Sequence, residues 1–310
     1  MLDVRSALER LAGRLVGRRR ELELVLAALE AGRHIVIEGP PGTGKSTLLR
    51  AVADELGVGF EFVEGNAELT PARLVGHFDP ARVLADGYDP KVYVDGPLVT
   101  SMREGALLYL EELNRVPEET LNVLITVMSE RELHVPRLGR IVADPGFRLV
   151  AAMNPFDAVG TARISSAVYD RVCRLAVDYQ SAPEEEAIVE RATPGADAQW
   201  VQRIVELVRR TREHPDLRVG SSVRGALDAT AVVASLAVLR DQPAASDAVG
   251  LDAVLIALSG RVRVREGSMR TSEEIITSLW HEVFGHGRSL PNGDGASTGK
   301  VAAPTGASSS

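Results

Sequence analysis

Apolar positions along the chain follow two regimes. Up to about residue 180, short continuous apolar runs alternate with stretches repeating every three or four residues; beyond it only the longer period persists. Leu22, Val25, Leu26 and Leu29 share one face at helical spacing and predict a helix over 19–31, with Gly32 as C-cap and a weaker helix over 3–12 before it. HIVIEG (34–39) is a β-branched run closed by Gly, the mark of a buried strand. A helix over 45–56, stopped by Gly57, and a strand over 60–64 complete a strand–loop–helix–strand unit. Residues 68–105 are irregular, broken by Pro71, Pro80, Pro90 and Pro97, with one hairpin arm in KVYVDGPL and a helix ending at Gly105.

ALLYL (106–110) predicts a buried central strand ending in Glu111 and Glu112. A helix over 117–130 opens on Pro, ELHVP and RIVAD suggest a hairpin about Leu138-Gly139, and 147–154 is a strand ending at Asn154. Residues 165–173 read as a short helix. Beyond Ser181 the pattern gives helices over 183–192, 198–213, 221–239, 247–259 and 271–284; RVRVRE (261–266) alternates but makes no convincing strand. Residues 286–310, rich in Gly, Ser, Ala and Pro, read as a disordered tail. The expected architecture is an α/β parallel-sheet core with helices on both faces over 1–180, then an α-helical subdomain over 181–285. A length of 310 residues suits two subdomains.

Composition narrows the chemistry. Aromatics are 4% of residues, so the core must be built mostly from Leu, Val, Ile and Ala. Cys173 is the single cysteine, which excludes an internal disulfide and a Cys-based zinc site, and the six histidines lack metal-ligand spacing. No apolar run approaches the roughly 18–20 residues of a membrane span, and the charged N-terminus lacks a signal-peptide core, so a cytoplasmic protein is expected. A net charge of −8 argues against a nucleic-acid partner. The one compact basic cluster, Arg18-Arg19-Arg20, reads as a solvated turn before a helix, with a local basic pore as the alternative.

Gly39–Thr47 reads GPPGTGKST, and its first eight residues fit G-x-x-x-x-G-K-[ST] without mismatch. Between a strand and a helix, such a loop binds phosphate. Gly42 and Gly44 let backbone N–H groups approach the anion, and the helix N-terminus adds its positive dipole end. Pro40, Pro41 and Thr43 complete the loop, Lys45 reaches the β- and γ-phosphates, and Ser46, chosen over Thr47 by motif position, holds Mg²⁺. ATP and Mg²⁺ are the implied cofactors. At the end of the neighbouring strand, Glu111 is by register the metal-side acid and Glu112 the acid that orients or deprotonates the attacking water.

These motifs, with GPLVTSMREGALLYLEELNRVP, AAMNP and GSSVRGAL in order over about residues 14–285, resemble the MoxR-like AAA+ ATPases, closest to the branch typified by CbbQ, NorQ and GvpN. The resemblance implies a AAA+ core, a helical lid and a ring, expected to be a homo-hexamer. It assigns sensor 1 to Asn154, an arginine finger for the neighbouring subunit to Arg171 (with Arg163 and Arg174 as competitors), and sensor 2 to Arg224, in cis or in trans. It places Val16 and Gly17 against adenine. Glu111 stands where most such enzymes carry Asp, which puts the hydrolysis rate in question. His77 and Phe78 face the ring pore or pack locally. The implied work is ATP-driven remodelling, assembly or activation of a partner protein, one with a von Willebrand factor A domain. The competing readings are a nucleotide-dependent scaffold with little hydrolysis, a nucleic-acid motor and a small-molecule P-loop kinase.

Overall fold

The computed structural model describes residues 4–155 and 164–285. Helices α1 (Val4–Arg14) and α2 (Arg19–Glu30) lead into strand β1 (His34–Glu38), α3 (Lys45–Leu56) and β2 (Phe60–Glu64). The proline-broken stretch then folds as α4 (Pro71–Val75), β3 (Gly76–Phe78), α5 (Pro80–Asp86), β4 (Tyr93–Asp95) and α6 (Pro97–Glu104). Three of its prolines sit where the missing N–H costs nothing: Pro71, Pro80 and Pro97 each open a helix. β3 and β4 pair antiparallel, and Phe78 packs edge-on against Tyr88 and Tyr93, so this ring is a local anchor while His77 is exposed.

Next come β5 (Leu107–Glu111), α7 (Glu118–Glu130), the hairpin β6 (Glu132–Val135) and β7 (Gly139–Val142), β8 (Arg148–Met153), α8 (Ser166–Tyr169) and β9 (Val172–Ala176). Five strands form one parallel sheet in the order β2-β5-β8-β1-β9. Strand alternation sorts its two faces. Ile35, Ile37, Leu107, Tyr109, Val150 and Ala152 meet α1, α2 and α3; Val36, Leu108, Leu110, Leu149, Ala151 and Met153 meet α4, α6 and α7.

The fifth strand corrects the reading of 165–173 as helix: α8 stops at Tyr169, and Val172–Ala176 pairs along all of β1. β9 is an edge strand with only Leu175 buried, so it lacks the continuous apolar run that marks β1, β5 and β8.

The rest is helical: α9 (Ala182–Ala192), α10 (Ala198–Glu213), α11 (Val223–Arg240), α12 (Asp252–Leu258), entered through a π-turn at Asp247–Leu251, and α13 (Ser272–Phe284). They share an apolar cluster of their own, drawn from Val189 to Val283 and centred on Trp200 and Trp280. The view that no strand lies here is also corrected: β10 (Leu217–Val219) pairs antiparallel with β11 (Arg263–Val264), two pieces too short to leave a periodic signature. The tail expected over 286–310, and Arg163, lie outside the described residues.

Candidate functional site

The fully buried β1 delivers the chain to Gly39, where a Cβ would lie 2.4 Å from the Val177 carbonyl oxygen; only glycine lets the loop leave the sheet there. Gly42 and Gly44 take left-handed φ values of 75° and 80°, costly for any other residue. A Cβ on Gly42 would strike Ser222 Oγ at 2.2 Å, so the loop touches the start of α11. A Cβ on Gly44 would meet nothing within 4 Å, because that position faces a cavity. This cavity, about 110 Å³, is lined by Pro41–Thr47, Glu111, Glu112, Ala152, Met153, Asn154 and Arg224. At Gly42, Thr43, Gly44, Thr47 and Arg224 it meets a second cavity of about 320 Å³, walled by Leu15, Val16, Leu48, Ile188, Val223 and Leu227. A polar pocket at a helix N-terminus joined to an apolar one suits a phosphate chain carrying a flat base. Val16 lines the apolar part; Gly17 lies outside it, its left-handed φ of 66° and missing Cβ admitting Glu184 of α9.

Lys45 donates from Nζ to the Gly39 and Pro40 carbonyls, at 3.0 and 2.9 Å. Burial lowers its pKa, against the opposing pull of Glu111 and Glu112. Ser46 Oγ lies 3.1 Å from Glu111 Oε1, to which it donates, and 3.1 Å from Tyr109 Oη. The extra methylene of Glu111 therefore bridges to the P-loop hydroxyl. Hydroxyl and carboxylate oxygens side by side are the hard donors Mg²⁺ takes alongside phosphate, so these residues fit that ion. Glu112 holds a left-handed φ of 54°, which turns its side chain out of the strand pattern. Its Oε2 is buried without a hydrogen-bond partner and lies 3.4 Å from Arg115 Nε, an ion pair without hydrogen-bond geometry.

Asn154 directly follows β8 on the cavity wall, its carbonyl accepting from Asn114 Nδ2 at 3.3 Å. Arg224 lines both cavities from the first turn of α11, within its own chain. Arg171 is not brought to them. It is exposed, with Nε on Ser129 Oγ and Nη1 on the Ala167 carbonyl at 2.7 Å. Arg174 is committed to Glu38, its Nε 2.7 Å from Oε2, while Tyr169 donates to Oε1 at 2.7 Å. Burial pushes the Glu38 carboxyl up, but these two donors outweigh it and hold its pKa below the usual range.

The largest departure from the sequence reading is Arg18, expected in a solvated turn. It is 6% exposed. Nη1 donates to Glu21 Oε1, and Nη2 to the carbonyls of Thr43 and Asp178, each at 2.8 Å. It thereby ties the phosphate loop to the chain leaving β9. Arg19 instead pairs with Glu9 at the surface. Nothing in a basic triplet distinguishes its buried member, because two of the three acceptors are backbone carbonyls remote in sequence. Gln180, also missed, donates to the Val16 carbonyl at 2.9 Å and closes the apolar cavity from the far side.

Known proteins bear on this geometry. Residues 34–172 match the AAA domain family, dynein-related subfamily, a span that includes the loop, both acids, Asn154 and Arg171. Over 208 residues the chain is 28% identical to an uncharacterized protein of Staphylococcus epidermidis, covering 65% of this chain and 78% of that one. Over 221 residues it is 34% identical to the gas vesicle ATPase GvpN of Ancylobacter aquaticus, covering 65% of this chain and 61% of that one. Its fold is similar to that of a candidate ATPase of Cytophaga hutchinsonii (TM-score 0.52, 19% identity, 90% of this chain and 94% of that one). It is similar also to the RuvB Holliday junction branch migration motor of Thermotoga maritima (TM-score 0.51, 20% identity, 78% and 68%). At such identities the two structures speak for the fold alone.

Proposed function

This chain belongs to the MoxR-like AAA+ family, and from that premise we propose that it binds Mg²⁺–ATP at Gly39–Thr47 and hydrolyses it to drive remodelling of a partner protein. The observation that carries the reading is the meeting of Ser46, Glu111 and Glu112 around the empty space beside Gly44. Backbone N–H groups of the loop and of the first turn of α3 bind the phosphates. Lys45 exchanges its two carbonyl partners for phosphate oxygens, giving a half-buried cation an anion within hydrogen-bond reach. When bound, Mg²⁺ supplies charge neutralisation at the β- and γ-phosphates. Ser46 and Glu111 hold it there. Glu112 orients the attacking water and takes its proton, a role supported by its buried Oε2, which accepts no hydrogen bond and has only the ion pair with Arg115. Asn154 positions the same water or the γ-phosphate, with Asn114 steadying its backbone.

Arg224 acts in cis as a phosphate sensor, supported by its place on both cavity walls. Arg171 serves as a finger for the next subunit of a homo-hexamer; its exposure away from its own loop supports that role. Arg174 is the weaker candidate because Glu38 already holds it. The two nucleotide states would then differ in their contacts with Asn154, Arg171 and Arg224, which is what a switch requires. The client is an assembly matured with a partner bearing a von Willebrand factor A domain; the likeness to a gas vesicle ATPase supports an assembly role.

One experiment separates binding from turnover. Lys45→Ala loses ATP affinity at least 100-fold by calorimetry, whereas Glu112→Gln binds ATP as wild type does and releases phosphate at least 100-fold more slowly, of the order expected for a general base. Equally slow release by wild type and Glu112→Gln replaces the hydrolase with a nucleotide-dependent scaffold.

A further inference from the structure

Tyr109 lies inside an apolar run, two residues before Glu111, and strand alternation points both toward α3. Its ring packs between Phe60 and Phe62, with centroids 5.8 and 5.7 Å away, and the residue is fully buried. Phenylalanine would serve that packing equally well. The hydroxyl is the exception, because a buried O–H must find a partner or cost about 1–3 kcal/mol. Its partner is Ser46 Oγ at 3.1 Å, and Ser46 in turn donates to Glu111 Oε1 at 3.1 Å. Contact with the Glu111 carboxylate also contributes to the raised pKa of this phenol, whose main cause is burial.

The geometry points to Tyr109 as a positioning residue for the divalent-cation site, its hydroxyl fixing the Ser46 rotamer and the Glu111 carboxylate so that both present oxygen to one ion. A Ser hydroxyl has three staggered rotamers, and the one adopted here donates to Glu111 while Ser46 lines the cavity. A glutamate carries one more rotatable bond than an aspartate at the same place, so its carboxylate needs an additional restraint. A phenol fixed between two aromatic rings supplies it at no rotamer cost of its own. The proposal rests on the reading of the loop as a Mg²⁺–nucleotide site.

The test compares Tyr109→Phe with wild-type full-length protein in binding a fluorescent ATP analogue, first in EDTA and then at stepped Mg²⁺. Mn²⁺ binding in the presence of a non-hydrolysable analogue is read by electron paramagnetic resonance. Expected are unchanged affinity in EDTA, a Mg²⁺ half-saturation raised about three- to tenfold, and weakened Mn²⁺ binding, the range set by one lost neutral hydrogen bond. A variant that melts earlier yet keeps the wild-type metal dependence reduces the hydroxyl to a structural role and overturns the proposal. So does an equal loss of affinity with and without metal. If wild type binds the analogue without gain from Mg²⁺, both the proposal and the metal reading of Ser46 and Glu111 fall; if only the variant is unaffected, the metal reading stands and the role of Tyr109 falls.

Discussion

Truncating Arg18 to alanine exposes how the phosphate loop is held. The guanidinium lies in a buried seam and serves three acceptors: the Glu21 carboxylate, the Thr43 carbonyl within the loop, and the Asp178 carbonyl just beyond β9. The Asp178 carbonyl belongs to an exposed residue and can turn to water. The Thr43 carbonyl cannot, since Thr43 is 2% exposed, and the Glu21 side chain is only 14% exposed. Removing one partner of a buried ion pair costs about 3–5 kcal/mol, and the partial exposure of Glu21 places this case near the lower end, about 3 kcal/mol. Arg18→Lys keeps the charge but reaches fewer acceptors, so it should lose about half as much. Urea unfolding read by far-ultraviolet circular dichroism measures the loss. Tryptophan fluorescence supplies an internal control: Trp200 and Trp280 both lie in the helical C-terminal cluster, so their transition should move less than the dichroism transition. The loop should also lose order, with ATP affinity falling about tenfold for each ~1.4 kcal/mol of misplacement. A dichroism shift under about 0.5 kcal/mol, the size expected of a surface arginine, would refute the clamp.

Two further predictions address other parts of the core. His34 is buried in β1, its Nδ1 accepts the Leu149 N–H at 2.9 Å, and burial followed by Arg148 and Arg131 lowers its pKa to about 4. An unfolded histidine titrates near ~6.5, so between these values the unfolded chain binds the proton first; stability is complete above the upper value and falls by roughly 3 kcal/mol as pH drops to the lower one. Urea midpoints between pH 7.5 and 4.5 should show this loss, and His34→Gln should flatten it; an unchanged slope in that variant would assign the loss to other groups. At the loop, Gly44→Ala meets no neighbour and costs only the left-handed φ, about 1–2 kcal/mol, yet its methyl enters the phosphate cavity, so the melting temperature should fall only by the few degrees that this cost implies while ATP binding is lost. Gly42→Ala should instead push Ser222 and the start of α11 outward, lowering both stability and affinity. Wild-type ATP affinity in Gly44→Ala would remove the phosphates from this cavity.

What could be read from the chain and what could not divide along a physical line. β1, β5 and β8 are buried on both faces, so each had to be a continuous apolar run, and the loop and acid pair were found because they follow two such runs directly. β9 pairs on one side only and buries Leu175 alone, so its pattern carries almost no strand information; its conformation is imposed by β1. Arg18 and Tyr109 were hidden for a related reason. Their partners are fixed by the same sheet register and never by spacing, whether the guanidinium meeting carbonyls at Thr43 and Asp178 or the phenol meeting Ser46 across the gap between β5 and α3. These hidden contacts share a location. β1 runs into the phosphate loop, β9 runs into Asp178 and from there to α9, and Arg18 joins the two exits. Arg212 stacks on Tyr179, donates to the Ser221 carbonyl at 2.7 Å and pairs with the buried Glu185, which carries the connection on to Ser222 beside Gly42. A displacement of the loop by bound phosphate must therefore be met at both ends of this path, through Arg18 to the start of α9 and through Ser222 to the start of α11. The C-terminal helices are thus joined to the loop at two points, through Arg18 to the chain entering α9 and through Ser222 to the start of α11.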